Sequence, residues 1–396
     1  VMAMDYAPAI RMGVPGANPQ AGLGEFFTLP IFTCAGLMWM ASAIDFVMIF
    51  VSLELVTMSF YVLVSFTRRN PAALEAGVKY LILSALSTGF LVFGITWIFG
   101  VTGNTSLARI GIYLATQSFD RIPLLFGVAL VLVALGFKIA AVPFQIWVPD
   151  VYQGAPTPVT AFLSVGSKAA GFVVLLRVLV PFLALPQVGH LLVGMAALTL
   201  IYGNLAALPQ SNLKRLLAYS SIAHAGYLLI GVASVAGAAV AYYLVSYLLM
   251  TLLCFAVLIV VGNSTGDQIE DYAGLAKRSP FLAFAMLIGM ISLAGVPFTA
   301  GFLGKFFIFD AAIREHQTLL VVLGIVTVGC GFYYYLKVVR AMYWLEPASG
   351  AKPLPLSALT RLTMTGLIAA IVVLGIYPQP ILNALGPRPV ALAAAR

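Results

Sequence analysis

The sequence predicts an all-α polytopic membrane protein of eleven transmembrane helices, two of them broken. Three observations predict it. Of 396 residues, 62% are hydrophobic and 9% charged, with mean hydropathy +1.05, a balance foreign to water-soluble domains of this length. Apolar runs of about 20 residues, enough helix to cross the hydrocarbon core, recur along almost the whole chain. Two of these runs are interrupted near their middle by the same triplet, Val142-Pro143-Phe144 and Val296-Pro297-Phe298.

Residues 1–25 are rich in Gly and Pro and read as a loop, not as a cleavable signal peptide. The first residue is Val, not Met, which suggests that an upstream part is missing. The spans then fall near 26–43, 44–66, 74–100, 122–148, 156–184, 188–209, 213–233, 236–263, 279–311, 316–346 and 358–378, with a tail over 379–396. The first two meet with almost no linker around Ser42–Asp45. Arg68 and Arg69 lie between the second and third spans, and Lys277 and Arg278 precede the ninth. Spans 122–148 and 279–311 contain Pro143 and Pro297. Proline lacks a backbone donor and clashes with the preceding turn, so both helices should break there. Each of these runs also carries a lysine, Lys138 before its proline and Lys305 after it. Two broken helices in corresponding places are the pattern of transporters built from inverted repeats, with a site at mid-membrane. The repeat halves are then 26–184 and 188–346 within a single transmembrane domain, 26–378, closed by the helix over 358–378.

Composition also excludes functions. The net charge of +8 comes from basic residues scattered through loops, without the basic patch and interleaved aromatics of a nucleic-acid binder. Cys34, Cys254 and Cys330 lie far apart in apolar runs, and His190, His224 and His316 form no ligand pattern, so no metal site is expected. The loop charges orient the chain. Arg68, Arg69, Lys214, Arg215, Lys277, Arg278, Arg340 and Lys352 fall on one set of alternating connections, and Arg109, Arg121 and Arg314 on the other. The positive-inside rule places the richer set, with the N-terminal segment, in the cytoplasm and the C-terminus on the far side.

The functional signal is charge inside the spans. An ammonium in hydrocarbon costs roughly 2.5–3.5 kcal/mol on insertion scales. Glu54 lies about ten residues from either end of its span, near the midplane at about 1.5 Å per residue. Lys138 is its natural partner. The pair reads either as a structural ion pair between packed helices or as a proton switch, in which withdrawal of the carboxylate releases the lysine's proton. Lys168 is mid-span in the next helix, and Lys305 sits in the second half of its broken helix. Lys79 is only a few residues inside its span and can snorkel. Ser164, Ser167, Ser220, Ser221, His224, Tyr219, Thr299 and Tyr333 are candidates to line a hydrated path, or to bond backbone and neighbouring helices. Asp45, Asp310 and Arg177 read as interfacial.

Residues 138–171, KIAAVPFQIWVPDVYQGAPTPVTAFLSVGSKAAG, carry a signature, as do Glu75–Tyr80, Asn212–Ile222, Leu293–Pro297 and Gly301–Phe306. From about Glu25 onward the chain resembles the subunit-N family of the proton-pumping NADH:quinone oxidoreductases, respiratory complex I. The broader layout of lysines and broken helices is shared with sister antiporter-like subunits and with multisubunit cation/proton antiporters. The resemblance implies that Glu54 and Lys138 form the ion pair of a first half-channel, that Lys168 is the central connecting lysine, and that Lys305 serves a second half-channel. Lys79 matches a further family lysine, and His224 is a further candidate for the proton path. The chain departs from the family at Gln145, where a histidine is frequent and which cannot titrate. Against the family's fourteen spans it starts at the fourth.

The resemblance thus implies a bacterial inner-membrane subunit that moves protons without redox chemistry of its own. The chain has no cysteine cage for iron–sulfur clusters, no dinucleotide fingerprint and no flavin site. NADH, FMN, iron–sulfur clusters and quinone are expected on partner subunits. The expected partners are a neighbouring antiporter-like subunit, the small membrane subunits and the bilayer. The alternative is a subunit of a multisubunit cation/proton antiporter or of a membrane-bound hydrogenase-type complex.

Overall fold

The computed structural model describes residues 23–347 and 356–385, together with Met4, Tyr6, Pro353 and Leu354. Lys352, most of the N-terminal loop and the end of the tail lie outside the described residues. The described residues are helical, with isolated bridges and no strand. The transmembrane elements are α1 (Leu23–Ser42), α2 (Phe46–Val64) and α3 (Pro71–Thr102). A short amphipathic helix, α4 (Leu107–Thr116), precedes α5 (Arg121–Ile139), α6 (Val148–Gly154) and α7 (Thr157–Phe182). Then come α8 (Pro186–Ala207), α9 (Leu213–Ala233), α10 (Gly237–Gly262), α11 (Pro280–Ala294), α12 (Ala300–Arg314), α13 (Thr318–Trp344) and α14 (Ala358–Ile376).

Ten of these helices are long and apolar enough to cross a membrane, and an eleventh crossing is assembled from the two halves α11 and α12. Apolar-run counting passed over α4 because only one of its faces is buried, through Leu107 and Ile110. The helix starts follow from side chains. Asp45, Asn70, Asp120 and Asn212 each accept a hydrogen bond from a backbone N–H of the first turn of α2, α3, α5 and α9. The turn at Ser42–Asp45 is thus a genuine break between two spans, and Asp45 also accepts from Thr105 Oγ1 at 2.7 Å.

Both broken helices stop in the same way, ahead of the proline. In α5 the stop is Ala140, with φ 64°, and the next amide, Ala141 N–H, donates to Gly136 O at 2.8 Å. In α11 it is Gly295, with φ 90°, and Val296 N–H donates to Ile291 O at 3.0 Å. Each is a left-handed C-terminal cap with the bond that reaches back five residues. A residue before proline avoids helical backbone, so the chain has turned before Pro143 and Pro297 are reached. The halves beyond the stops differ: α6 has seven residues and α12 fifteen.

At the centre stands α9, buried along nearly its whole length. It packs closely on α8, where a Cβ on Gly203 would lie 2.5 Å from Ala223 N and one on Gly226 2.8 Å from Leu200 N. Small residues at such crossings let helix backbones approach within van der Waals contact. This places α9 side chains between α7, α10 and α13, where the buried polar residues gather.

Candidate functional site: a buried chain of lysines, hydroxyls and phenols

Three lysines predicted from sequence are inside the bundle: Lys138, Lys168 and Lys305 are 4%, 2% and 5% exposed. Among the described residues none of the three has a carboxylate oxygen within 4 Å. Their partners are neutral.

Lys138 stands in the last turn of α5, just before the stop. It donates to Thr57 Oγ1 of α2 at 2.6 Å and to Ser84 Oγ of α3 at 3.2 Å. Glu54 lies one turn from Thr57 on α2, is half-buried, and accepts from Thr88 Oγ1 of α3 at 2.6 Å. The direct Glu54–Lys138 contact expected from sequence is absent. Thr57 is i+3 from Glu54 and Ser84 is i−4 from Thr88, so the two charges face a common row of hydroxyls.

Lys168 follows a π-turn over Leu163–Ser167. Such turns widen a helix and are frequent at functional sites. Its ammonium donates to both the backbone oxygen and Oγ of Ser221 on α9 and lies 5.3 Å from the Tyr247 ring centroid of α10. Ser221 Oγ is also 3.2 Å from Tyr152 Oη of α6.

Lys305, on α12, turns back toward α11. It donates to Leu293 O and Ala294 O, both at 2.9 Å, and lies 5.0 Å from the Tyr227 ring centroid. These carbonyls are left without helical partners where α11 stops, and they carry the negative end of its dipole. The sequence has one lysine before its proline and the other after. In space both occupy the C-terminal end of a half-helix.

Between Lys168 and Lys305 sits His224 of α9, 1% exposed, with both ring nitrogens engaged. Nδ1 is 2.6 Å from Tyr243 Oη of α10 and Nε2 is 3.1 Å from Tyr335 Oη of α13. Tyr335 Oη is in turn hydrogen-bonded to Ser220 Oγ. A branch runs along α13, where Tyr334 donates to Asn204 Oδ1 at 3.1 Å and Thr327 Oγ1 lies 3.2 Å from Tyr227 Oη.

The remaining residues fall elsewhere. The Lys79 side chain is 42% exposed and pairs with Glu75 at 2.6 Å and Asp150 at 2.7 Å. Asp150 also accepts from Arg215 at 3.0 Å, so this cluster ties α3 and α6 to the start of α9. Burial raises the Asp150 carboxyl pKa, but the hydrogen bonds from Lys79 and Arg215 outweigh it and hold that carboxyl below the ordinary range. Tyr333 is 65% exposed on α13 and does not line the path, since its neighbours Tyr334 and Tyr335 take the inward face. Ser164 and Thr299 donate to carbonyls of their own segments, and the Tyr219 ring lies tilted against that of Tyr202. Gln145 is buried with Oε1 unpartnered. Sequence reasoning missed Thr57, Ser84, Thr88, Tyr243 and Tyr335. The i,i+4 spacing of Ser84 with Thr88 and of Tyr243 with Tyr247 was the available signal.

The model of the NADH:quinone oxidoreductase/Mrp antiporter transmembrane family matches residues 43–331, nearly three quarters of the sequence. The chain belongs to this family. It is 43% identical over 363 residues to an NADH-quinone oxidoreductase subunit N of Desulforamulus reducens, covering 90% of this chain and 76% of that one. It is 44% identical over 378 residues to another, of Trichlorobacter lovleyi, covering 93% and 77%. Among solved structures, a chain of respiratory complex I from Thermus thermophilus with bound aureothin superposes with TM-score 0.81 at 34% identity, over 96% of this chain and 85% of that one. A chain of an archaeal membrane-bound sulfane sulfur reductase gives TM-score 0.83 at 28% identity, over 90% and 73%. A chain of the Mrp complex of a Dietzia species, 23% identical with TM-score 0.81 over 89% and 75%, shares the fold. This family and the ten apolar helices make the chain a multi-pass membrane protein.

Proposed function

We propose that this chain is a proton-translocating membrane-arm subunit of an NADH:quinone oxidoreductase, driven by redox chemistry on other subunits. The observation that carries the reading is the set of three buried lysines without carboxylate partners among the described residues. A buried structural cation is ordinarily paired, because desolvation of an unpaired charge is costly. Here Lys138, Lys168 and Lys305 rest on hydroxyls, carbonyls and aromatic faces. These groups accept hydrogen bonds without pinning an ammonium in its charged form, so each lysine can take up and release a proton as its surroundings change.

In this reading Glu54 modulates Lys138 through the shared hydroxyls of Thr57, Ser84 and Thr88. Movement transmitted from partner subunits shifts Glu54, and the Lys138 proton passes by water and hydroxyls to Lys168 and then by way of His224 to Lys305. Lys79 serves as an ion-pair anchor at the edge of this path. The chain itself performs no electron transfer; NADH, FMN, iron–sulfur clusters and quinone belong to partner subunits. The partners are a neighbouring antiporter-like subunit and small membrane subunits in a bacterial inner membrane, with the N-terminal segment cytoplasmic and the C-terminus on the far side. Relatives named as subunit N, at 43–44% identity, favour this reading over a cation/proton antiporter.

The test is Lys138→Met in the assembled complex. The complex accumulates, and NADH-driven acidification of proteoliposomes is largely lost. Wild-type acidification with that variant removes Lys138 from the path.

A further inference from the structure

We propose that Tyr335 and Tyr243 are proton-relay residues, and that His224 carries the proton between them by exchanging tautomers. The proposal rests on the pathway above and supplies the link it leaves open between Lys168 and Lys305. The three side chains come from α13, α10 and α9 and are all buried, at 1%, 0% and 1% exposure. Nε2 faces one phenol at 3.1 Å and Nδ1 the other at 2.6 Å.

A neutral imidazole has one donor and one acceptor nitrogen, and a phenol hydroxyl both donates and accepts. The row Ser220–Tyr335–His224–Tyr243 therefore has two complete hydrogen-bond polarities, differing only in the direction of each proton. Conversion moves one proton through. Ser220 gives its proton to Tyr335 as it gains one. Tyr335 gives its own to Nε2, Nδ1 gives its proton to Tyr243, and Tyr243 releases one to a water on the Lys305 side. One proton enters at Ser220, one leaves at Tyr243, and no group in the row stays ionised. Rotation of the hydroxyls, with the imidazole released from its two bonds and turned so that its N–H again faces Tyr243, resets the row without carrying the proton back.

Each end lies one residue away from a lysine or its partner. Ser220 precedes Ser221, the residue that holds Lys168. Neighbours at i and i+1 do not face each other on a helix, so a water makes that hand-over. At the other end the Tyr243 ring packs on the backbone of Gly304, the residue before Lys305. A Cβ there would lie 2.3 Å from Tyr243 Cδ2. The bare glycine lets the phenol stand between His224 and the helix of Lys305.

The test uses Tyr335→Phe and Tyr243→Phe in the assembled complex, with Lys168→Met as reference. Phe keeps the ring and removes the hydroxyl. Proton flux per assembled complex is measured in proteoliposomes in H2O and D2O. Each Phe variant is expected to assemble, to lose flux several-fold, and to show a larger D2O slowing than wild type, since proton transfer across the gap becomes limiting. Gly304→Ala, which displaces the Tyr243 ring but removes no relay group, is expected to give the same signature. Unchanged flux per assembled complex in the Phe variants overturns the relay, and so does a loss of flux with a wild-type isotope effect, the mark of a packing role. Unimpaired pumping by Lys168→Met overturns the underlying pathway instead, whatever the tyrosines do.

Discussion

Replacing Lys305 separates two roles that this side chain combines. It caps α11, donating to Leu293 O and Ala294 O at 2.9 Å each, and it carries a proton in the proposed pathway. Lys305→Met leaves two buried carbonyls short of a donor, at about 1–3 kcal/mol each, and removes a favourable helix-end charge of about 0.3–2 kcal/mol. Against this, the variant no longer buries an ammonium, which relieves roughly 2.5–3.5 kcal/mol. The balance runs from about 1 kcal/mol stabilising to about 5.5 kcal/mol destabilising, so abundance is measured beside pumping. Lys305→Arg restores the donor to both carbonyls, but its guanidinium, with a pKa above about 12, does not release a proton. The assay is complex abundance on native gels together with NADH-driven acidification per assembled complex. Both variants are expected to fail in pumping per assembled complex. Wild-type pumping by Lys305→Arg refutes the reasoning, because it leaves capping as the sole role of the residue.

The remaining predictions concern the first half of the chain. Thr57→Val removes the hydroxyl 2.6 Å from the Lys138 ammonium, a bond to a charged group worth about 1.5–3 kcal/mol. Proton flux should fall while Thr57→Ser keeps it, and equal flux from both variants counts against the hydroxyl row. Glu54→Ala should impair turnover more than Glu54→Asp, and equal activity favours a structural role. For Asp150, burial raises the carboxyl pKa, and the stronger hydrogen bonds from Lys79 and Arg215 bring it below the ordinary value. Its contribution to stability is then complete above about pH 4, the unfolded value, and is lost as pH falls through the depressed folded value. The thermal-stability gap between wild type and Asp150→Asn should be constant at neutral pH and close only in stronger acid; a gap that closes near pH 6 contradicts the ion cluster.

Sequence alone determined the membrane class, the positions of most spans and the buried charges, because the bilayer imposes a simple rule on composition. A run that crosses it must be apolar for about 20 residues, and an exception such as Lys138, Lys168 or Lys305 stands out against its neighbours. The two helix breaks were legible for a similar reason, since proline acts through its own backbone. Tertiary structure decided what those charges touch. Thr57 and Ser84 receive Lys138 from helices far away in the chain, and His224 is held by phenols of α10 and α13. Hydroxyls and tyrosines are common in membrane helices, and no local pattern reveals which face turns inward, as the exposed Tyr333 beside the buried Tyr334 and Tyr335 illustrates. The stops at Ala140 and Gly295 likewise bring both lysines to the C-terminal ends of broken helices, Lys138 by its place in the last turn of α5 and Lys305 by the reach of its side chain to Leu293 O and Ala294 O, because a side chain acts where its tip ends and not only where its residue falls in the sequence.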